Sequence, residues 1–150
     1  MKMEKILETA EDNGIIVDYF FLNKAEALSL CTEFGYFIAI DPLKLKGHAD
    51  EIVKLGHELG HCLTGSFYCP DNYFDISGRH EYRANKWAVL HLIPYDDLID
   101  ALKRGIDTPW DLAEFFDVTE QFICYACDFY ASRSLIDDNS AVHHSTGPVA

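Results

Sequence analysis

Two histidines and a glutamate in the segment GHELGH have the spacing that can hold a zinc ion. His57 and His61 are four residues apart, and Glu58 directly follows the first of them. On an α-helix, four residues turn through about 400°, so both imidazoles would lie on one face and could bind one tetrahedral ion. Glu58 would lie about 100° farther round the helix, beside the ion, where its carboxylate could take a proton from a metal-bound water. The segment therefore predicts a zinc site with Glu58 as general base.

The residues around this motif have the period of an amphipathic helix over 48–63. One apolar stripe runs beside the two histidines and consists of Ile52, Leu55, Leu59 and Leu63. Gly65 follows where a helix would end. The alternative is a helix with two partly buried structural histidines. The position of both histidines next to the buried stripe, away from the solvent face, favours the metal site over that alternative.

The third ligand must come from outside this helix. The extended pattern H-E-x-x-H-x-x-G-x-x-H fails, because Thr64 and Phe67 occupy its glycine and third histidine positions. A second helix is predicted from about residue 78 to 92, and Glu81 and Asn85 lie on one face of it. Glu81 as ligand would complete a set of two histidines and a glutamate, with Asn85 bonded to a ligating histidine. The small residues Ala84 and Ala88 would let the two helices approach closely.

Four other residues compete for the ligand role. His80 adjoins Glu81 but would point about 100° away from the Asn85 face. Asp71 and Asp75 lie in a predicted loop, where turn formation is the simpler explanation. His91 shares no face with Glu81 and Asn85. We therefore favour Glu81.

The motif and the second helix together resemble the ImmA/IrrE family of bacterial and phage metallo-endopeptidases. That family typically combines a zinc helix like GHELGH with a second helix of pattern E-x-x-A-[ND]-x-x-A-x-x-L-x-x-P. The segment EYRANKWAVLHLIP, residues 81–94, is similar to that pattern, and so is the preceding strand YFIAID. The resemblance covers roughly residues 15–131.

The resemblance implies zinc on His57, His61 and Glu81, with Glu58 as general base. Asn85 departs from the family pattern, since Asp often stands there; an amide holds a histidine N–H less strongly than a carboxylate does. Family members often act on helix-turn-helix transcriptional repressors of mobile elements or of stress responses. The resemblance therefore suggests a protein substrate of this class.

The order of helical and strand patterns predicts an α+β fold. We expect a first helix over 2–12, a small antiparallel three-stranded sheet, the zinc helix packed on a second long helix, and a helical C-terminal part. A single metallopeptidase-like domain would span 1–136, with a helical extension over 94–134. The polar residues 137–150 are predicted to form a disordered tail.

Charge and hydropathy limit the partners. The chain carries a net charge of −13, which disfavours nucleic acid, because DNA affinity depends on basic residues that neutralise phosphates. Residues 108–133 have helix-turn-helix spacing, yet Arg133 is the only cation in the would-be recognition helix, so a DNA role is not expected. Neither a long apolar span nor a signal-peptide pattern is present, so we expect a cytoplasmic protein with no membrane partner. The oligomeric state stays open.

The five cysteines are predicted to be free and mostly buried. Cys124 and Cys127 form a C-x-x-C pair that could be a redox pair or half of a zinc site. No second such pair exists, and the pair lies in a helical pattern, so two core thiols are the better interpretation. Cys62 follows a ligand but should point away from the metal.

The sequence predicts a zinc-dependent endopeptidase that hydrolyses a peptide bond in a protein substrate. The alternative is a regulatory binding module in which zinc only holds two helices together. The retention of Glu58 favours the enzyme, because a structural site needs no general base. The strand around Tyr36–Ile40 could pair with an extended substrate. The residue that stabilises the oxyanion is not identified; the candidates are Tyr68, Tyr73 and His80.

Overall fold

The computed structural model describes residues 2–65 and 77–142, and the surroundings of side chains over 2–65 and 80–133. These residues form, in chain order, α1 (Lys2–Asp12), β1 (Ile16–Tyr19), β2 (Ala27–Thr32), β3 (Gly35–Ile40), α2 (His48–Thr64), α3 (Ser77–Leu92), α4 (Tyr95–Lys103), α5 (Pro109–Phe116) and α6 (Glu120–Val142). The predicted α+β fold, with helices after a small sheet, is confirmed.

The sheet is mixed, with the strand order β1-β3-β2. β2 and β3 form an antiparallel hairpin in which Thr32 pairs with Gly35. β1 runs parallel to β3, with Ile16 opposite Phe37. The prediction of an antiparallel sheet is therefore right for the hairpin and wrong for β1. Hydrophobic alternation shows which face of a strand is buried and carries no information about the direction of its neighbour.

The parallel pairing results from the connection between β1 and β2, which crosses to the other side of β3. Asp41, at the end of β3, accepts hydrogen bonds from the backbone N–H of Leu22 (2.9 Å) and Leu43 (3.0 Å). Lys44 Nζ donates to the carbonyl oxygens of Leu22 (2.5 Å) and Ala25 (3.0 Å). Burial alone would raise the pKa of Asp41, but these backbone hydrogen bonds and Lys44 lower it overall. The crossover is thus held by one carboxylate and one ammonium.

α2 packs its apolar stripe on one face of the sheet. Ile52, Leu55 and Leu59 are fully buried, and Ile38 and Ile40 of β3 are buried with them in one core. The helix ends at Gly65, whose φ of 64° is left-handed and whose N–H donates to the His61 carbonyl. The predicted stripe and stop are both observed, so the core face of α2 sets the direction in which its histidines point.

The helices α5 and α6 each begin at a threonine whose hydroxyl caps the helix. Thr108 accepts from Asp111 N (3.1 Å) at the start of α5, and Thr119 accepts from Phe122 N (3.2 Å) at the start of α6. Asp117 connects the two helices with a left-handed φ of 54°. These caps place α6 against the end of α3, where the Tyr130 hydroxyl donates to the Ile93 carbonyl (2.7 Å).

The helical extension packs only some of its aromatic residues on the core. Phe116 and Phe122 are buried. Trp110, Phe115 and Tyr125 are exposed, with 61%, 43% and 37% of their surface accessible. The number of aromatic residues in these helices is therefore a poor guide to how much of their surface is buried, because a short amphipathic helix buries only one stripe.

α6 continues to Val142 and so includes the first residues of the stretch from Asp137 that is predicted to be disordered. Residues 143–150 lie outside the described residues. Among the helices described, none combines the length and apolar character that crossing a membrane requires.

Candidate metal centre

The imidazoles of α2 converge on one point. His57 Nε2 and His61 Nε2 lie 3.0 Å apart, and the two rings are nearly perpendicular, at 88°. His61 is buried, whereas His57 is partly accessible. The one-turn spacing therefore puts both nitrogen atoms at one place beside the buried stripe, as the sequence predicts.

Glu81 of α3 brings a carboxylate to the same point. Its Oε2 lies 3.1 Å from His57 Nε2, and its Oε1 lies 3.1 Å from His61 Nε2. Within residues 2–65 and 80–133, these three side chains form the group of His, Cys, Asp or Glu residues that could hold a metal ion, with ligand atoms within 4.8 Å of one another. The residue favoured from helix spacing is thus the one that the fold brings to the histidines.

The donor set fits a tetrahedral metal ion. With metal–ligand bonds of about 2.0–2.1 Å, neighbouring ligand atoms in a tetrahedral zinc site are about 3.3 Å apart. The observed separations of 3.0 and 3.1 Å are close to that value. Imidazole nitrogen and carboxylate oxygen atoms all present lone pairs, and lone pairs facing one another at this distance are stabilised by a cation between them.

Asn85, one turn after Glu81, contacts the other nitrogen of a histidine. Its Oδ1 lies 2.8 Å from His57 Nδ1. An amide oxygen only accepts hydrogen bonds, so Nδ1 of His57 donates and its Nε2 keeps the lone pair that a metal needs. The contact predicted between Asn85 and a histidine of the motif is therefore present.

Two glycines that flank the motif allow α3 to approach. A Cβ at Gly60 would lie 2.5 Å from the carbonyl oxygen of Ala84 and 2.8 Å from its Cα. A Cβ at Gly56, one turn earlier, would lie 2.9 Å from Leu92 Cδ1. Sequence reasoning credited the close approach to Ala84 and Ala88, which are indeed fully buried, but missed the two glycines. Their spacing of four residues, one glycine before each histidine, was the signal.

Glu58 is buried yet borders an open cavity. Only 8% of the residue is accessible, and with His57 it lines a cavity of about 340 Å³. It is not one of the three converging donors. The charge of Glu58 also affects the thiol of Cys62, one turn later on the helix. Burial is the larger cause and Glu58 the second cause that raise the pKa of this thiol to about 12. The carboxylate thus lies beside the donor cluster and faces solvent-accessible space.

The cavity continues into a longer cleft. A neighbouring cavity of about 630 Å³ shares several lining residues with the first, namely Glu26, Val53, Lys54, Asn85 and Phe122. One wall of the smaller cavity includes Ala27, the first residue of the edge strand β2. The expectation that the strand around Tyr36–Ile40 pairs with a substrate is wrong, because β3 is paired on both sides. Among the described strands, β2 lies at an edge of the sheet, and its first residue lines the same cavity as His57.

A comparison with protein families matches most of the chain. The family model described as Peptidase_M78, IrrE N-terminal-like domain, matches residues 10–128. The chain belongs to this family. The resemblance seen in GHELGH and the second helix is therefore confirmed. The chain is a member of a peptidase family, and it has a possible metal site at His57, His61 and Glu81. No curated protein matches this M78 chain significantly in sequence.

The competing ligands of the M78 chain do not join the cluster where they are described. The Nδ1 atom of His80 is buried and makes no hydrogen bond with the described residues, but His80 is not part of the converging group. His91 stacks on Trp87 with ring centroids 3.9 Å apart and lines a different cavity. Four predicted candidates lie outside the described residues: Tyr68, Asp71, Tyr73 and Asp75.

The cysteines are free where they are described, but their burial differs from the prediction. Cys62 is buried. Cys124 is exposed and Cys127 is half-buried, so the prediction of two core thiols is wrong for Cys124. Cys31 is exposed, and Cys69 lies outside the described residues. Neither member of the C-x-x-C pair belongs to the metal-binding group among the described side chains.

Proposed function

We propose that the protein is a zinc-dependent endopeptidase that hydrolyses a peptide bond in a protein substrate. One observation carries the proposal: Glu58 borders an accessible cavity directly beside the convergent donors His57, His61 and Glu81. A carboxylate next to a three-ligand metal site with an open side is the arrangement that metal-assisted hydrolysis requires. Membership of the M78 peptidase family supports the same reaction class.

In this proposal His57, His61 and Glu81 hold the zinc ion. When bound, zinc lowers the pKa of water and polarises a carbonyl oxygen, which is the chemistry that amide hydrolysis needs. Asn85 keeps the ring of His57 oriented through the 2.8 Å contact with Nδ1. With three protein ligands, a tetrahedral ion keeps one position for water or substrate.

Glu58 is the general base. It follows His57 on α2, so its side chain points beside the donor cluster. From there its carboxylate takes the proton of the attacking water and later delivers it to the nitrogen of the leaving amine. Glu58 is protonated by the first transfer, and this protonated carboxyl group is the proton donor in the second transfer. One residue therefore serves both proton transfers.

The cleft suits an extended peptide. β2 begins at one boundary of the cleft and is an edge strand among the described strands, so it can pair with a substrate backbone that adds a strand. The cleft also contains charged side chains of both signs: Lys54 Nζ pairs with Glu26 (2.9 Å) and with Asp50. These groups offer polar contacts to a peptide substrate within the cleft.

The proposed substrate class is a helix-turn-helix transcriptional repressor of a mobile element or a stress response, and the proposed compartment is the cytoplasm. This part of the proposal depends on the family rather than on the cleft. A direct role in nucleic acid binding is not proposed, since a net charge of −13 opposes phosphate contacts.

The competing function is a non-catalytic module in which zinc only joins α2 and α3. A structural zinc site commonly closes its fourth position with Cys or His. Within the described side chains no fourth residue of that kind belongs to the group. The three-donor set beside Glu58 therefore favours hydrolysis.

The test combines metal content with proteolysis. Zinc per chain is measured in the wild type, in Glu81→Ala and in Lys86→Ala, a control on the same helix. The wild type, Glu58→Gln and Glu51→Gln are then incubated with the repressor encoded beside the protein. We expect zinc in the wild type and the control only, and loss of cleavage in Glu58→Gln only, by about 10²–10⁴-fold.

Three results would decide against the proposal. A wild-type protein without zinc, or with another metal bound more tightly, would end the zinc assignment. Cleavage by Glu58→Gln at the wild-type rate would end the role of Glu58 as base. Zinc binding without any cleavage of protein substrates would favour the binding module instead.

A further inference from the structure

An apolar slot opens beside the donor cluster. The cavity of about 340 Å³ that contains His57 and Glu58 is also lined by Ala27 of β2, Val53 of α2 and Phe122 of α6. Val53 precedes His57 by one helical turn, about 5.4 Å along the axis, so the two side chains share a face of α2. The slot between Ala27, Val53 and Phe122 is thus built by three separate elements and adjoins a proposed metal ligand.

The charged groups near the apolar slot are engaged with one another. Lys54 Nζ lies 2.9 Å from Glu26 Oε2 and also pairs with Asp50. The side chain of Lys54 is only 15% accessible, so its ammonium is largely enclosed as well as paired. An acidic substrate side chain would have to compete with two carboxylates for Lys54, and any charged side chain would lose hydration against Val53 and Phe122. The slot therefore suits an uncharged, apolar side chain.

The backbone of β2 determines which side chain of a paired peptide would enter the apolar slot. The carbonyl of Glu26 accepts from Asp41 N (2.9 Å), so Glu26 directs its backbone groups toward β3. These directions alternate along an antiparallel pair, so Ala27 directs its N–H and C=O away from β3. Ala27 lies opposite Ile40, which is fully buried in the core that α2 covers. A peptide residue paired with Ala27 would share that face and point its side chain into the slot.

Phe122 forms a fixed wall of the apolar slot. Its N–H donates to Thr119 Oγ1 (3.2 Å) in the first turn of α6, and only 7% of the residue is accessible. Its ring lies nearly parallel to that of Tyr125, at 22°, with centroids 6.4 Å apart. Side chains that are held by packing and capping give a binding site a defined size. The size of the slot is therefore set in part by the C-terminal helix.

We propose that Val53 and Phe122 are specificity-determining residues, which bind a large apolar side chain of the substrate within about two residues of the scissile bond. The inference rests on the proposed peptidase function and adds the kind of residue that the site selects. A residue of an extended peptide spans about 3.3 Å, so the one-turn offset between Val53 and His57 corresponds to one or two residues. In this way α6 takes part in substrate selection.

Cleavage of a synthetic peptide library tests the apolar slot. The zinc-loaded protein is incubated with peptides of randomised sequence, and mass spectrometry identifies the residues around each cleaved bond. We expect one position to prefer Leu, Ile, Met or Phe over Ala by more than about tenfold, the selectivity that an apolar pocket can provide. Val53→Phe, which fills the slot, should reverse this preference in favour of Ala. Phe122→Leu, which widens the slot, should raise the relative cleavage of peptides with Trp there by about tenfold.

Phe129→Leu is the matched control for Phe122→Leu. It makes the same change on the same helix, at a residue that is also 7% accessible. In the described part of the chain, Phe129 packs against Tyr82 and Tyr130 and lines neither cavity of the cleft. We expect both variants to lower the free energy of unfolding, and only Phe122→Leu to change the cleavage preference. An equal change in both, an unchanged preference in Val53→Phe, or a wild-type preference for charged residues at this position would overturn the proposal.

A binding measurement separates this proposal from the proposed function. The Glu58→Gln variant is titrated by NMR with the capped peptide Ala-Ala-Leu-Ala-Ala and with its all-alanine counterpart. We expect the leucine peptide to bind about tenfold more tightly and to shift the methyl resonances of Val53, and we expect Val53→Phe to remove the difference. If the wild type cleaves no peptide, the proposed function fails, yet this titration still decides about the slot. Equal Kd values for the two peptides would overturn the proposal.

Discussion

Gly60 of α2 lies directly against the backbone of Ala84 of α3: a Cβ at Gly60 would be only 2.5 Å from the Ala84 carbonyl oxygen. Gly60 is adjacent to His61, and Ala84 is adjacent to Asn85 and one turn from Glu81. The contact that allows the two helices to approach thus lies within one helical turn of each proposed ligand. Because both elements are helices, the separation set here determines whether the carboxylate reaches the imidazoles.

Gly60→Ala should disrupt both stability and metal binding. The obstructing atoms belong to backbone, so α3 must shift as a whole; we expect a loss of about 3 kcal/mol in the free energy of unfolding, the upper end for overpacking, and weaker zinc binding. Gly56→Ala is the matched control, because its new Cβ would meet only the end of the Leu92 side chain. Urea unfolding and zinc titration of both variants measure the difference. Equal effects in the two variants would show that the Gly60 contact is not special.

Glu81→Gln should weaken zinc binding while the helix remains folded. The amide keeps the shape of the carboxylate but loses its charge toward His57 and His61. Residues that only orient a ligand contribute about 10–100-fold in affinity, so we expect a loss of more than about 100-fold for a ligand itself. Competition with a chromophoric chelator measures the Kd, and circular dichroism checks the fold. Wild-type affinity in Glu81→Gln would mean that another residue is the third ligand.

Removal of the metal should lower the thermal stability of the protein. An ion that binds only the folded state stabilises it by about 2.7 kcal/mol when its free concentration is 100 times the Kd. We therefore expect dialysis against a chelator to lower the Tm, and added zinc to restore it. Magnesium, which prefers oxygen ligands, should not restore it. The same titration on His57→Ala should have no effect; a zinc response in that variant would locate the binding elsewhere.

Lys54→Met should lower stability in a way that depends on pH. Burial opposes the charges of both Asp50 and Lys54, but their mutual hydrogen bond lowers the pKa of Asp50 and raises that of Lys54. The contribution of Asp50 is therefore present above its ordinary pKa of 3.8 and is lost as pH falls through the lower value of the folded state. That of Lys54 is present below 10.5 and is lost as pH rises through its higher folded value.

At pH 7 we expect Lys54→Met to cost about 1 kcal/mol, the value of a partly accessible ion pair. The cost should shrink as pH falls below 3.8 and through the lower pKa that Asp50 has in the folded protein, where its carboxylate becomes protonated. Urea unfolding at pH 7 and pH 3 measures both values. Lys24→Met, at an exposed lysine in the β1–β2 connection, is the control and should show no such change. A cost that is independent of pH would mean that the packing of the lysine stem, rather than its charge, is what matters.

Several site residues could be found from the sequence because helices convert spacing into direction. The i,i+4 spacing places His57 and His61 on one face whatever surrounds the helix, and the same rule pairs Glu81 with Asn85. The glycines of GHELGH carried an equally local signal of close packing, although it was overlooked. Capping by Thr108 and Thr119 was likewise readable, because a cap involves only neighbouring backbone.

Features that depend on contacts between residues far apart in the chain could not be predicted from helical spacing. The parallel direction of β1 depends on a crossover held by Asp41 and Lys44. The exposure of Trp110 and Cys124 depends on which stripe of a short helix meets the core. Neither follows from local pattern, because both result from the packing of elements against one another.

The sequence by itself determined the chemistry of the site: which side chains point together on each helix, and that two imidazoles and carboxylates are available. Tertiary structure alone decided that the two helices meet with a 3.1 Å separation between carboxylate and imidazoles. It also placed Ala27, the first residue of the edge strand β2, at the cleft. The physical reason is that helical periodicity acts over a few residues, whereas the distance between elements is set by the packing of the whole core.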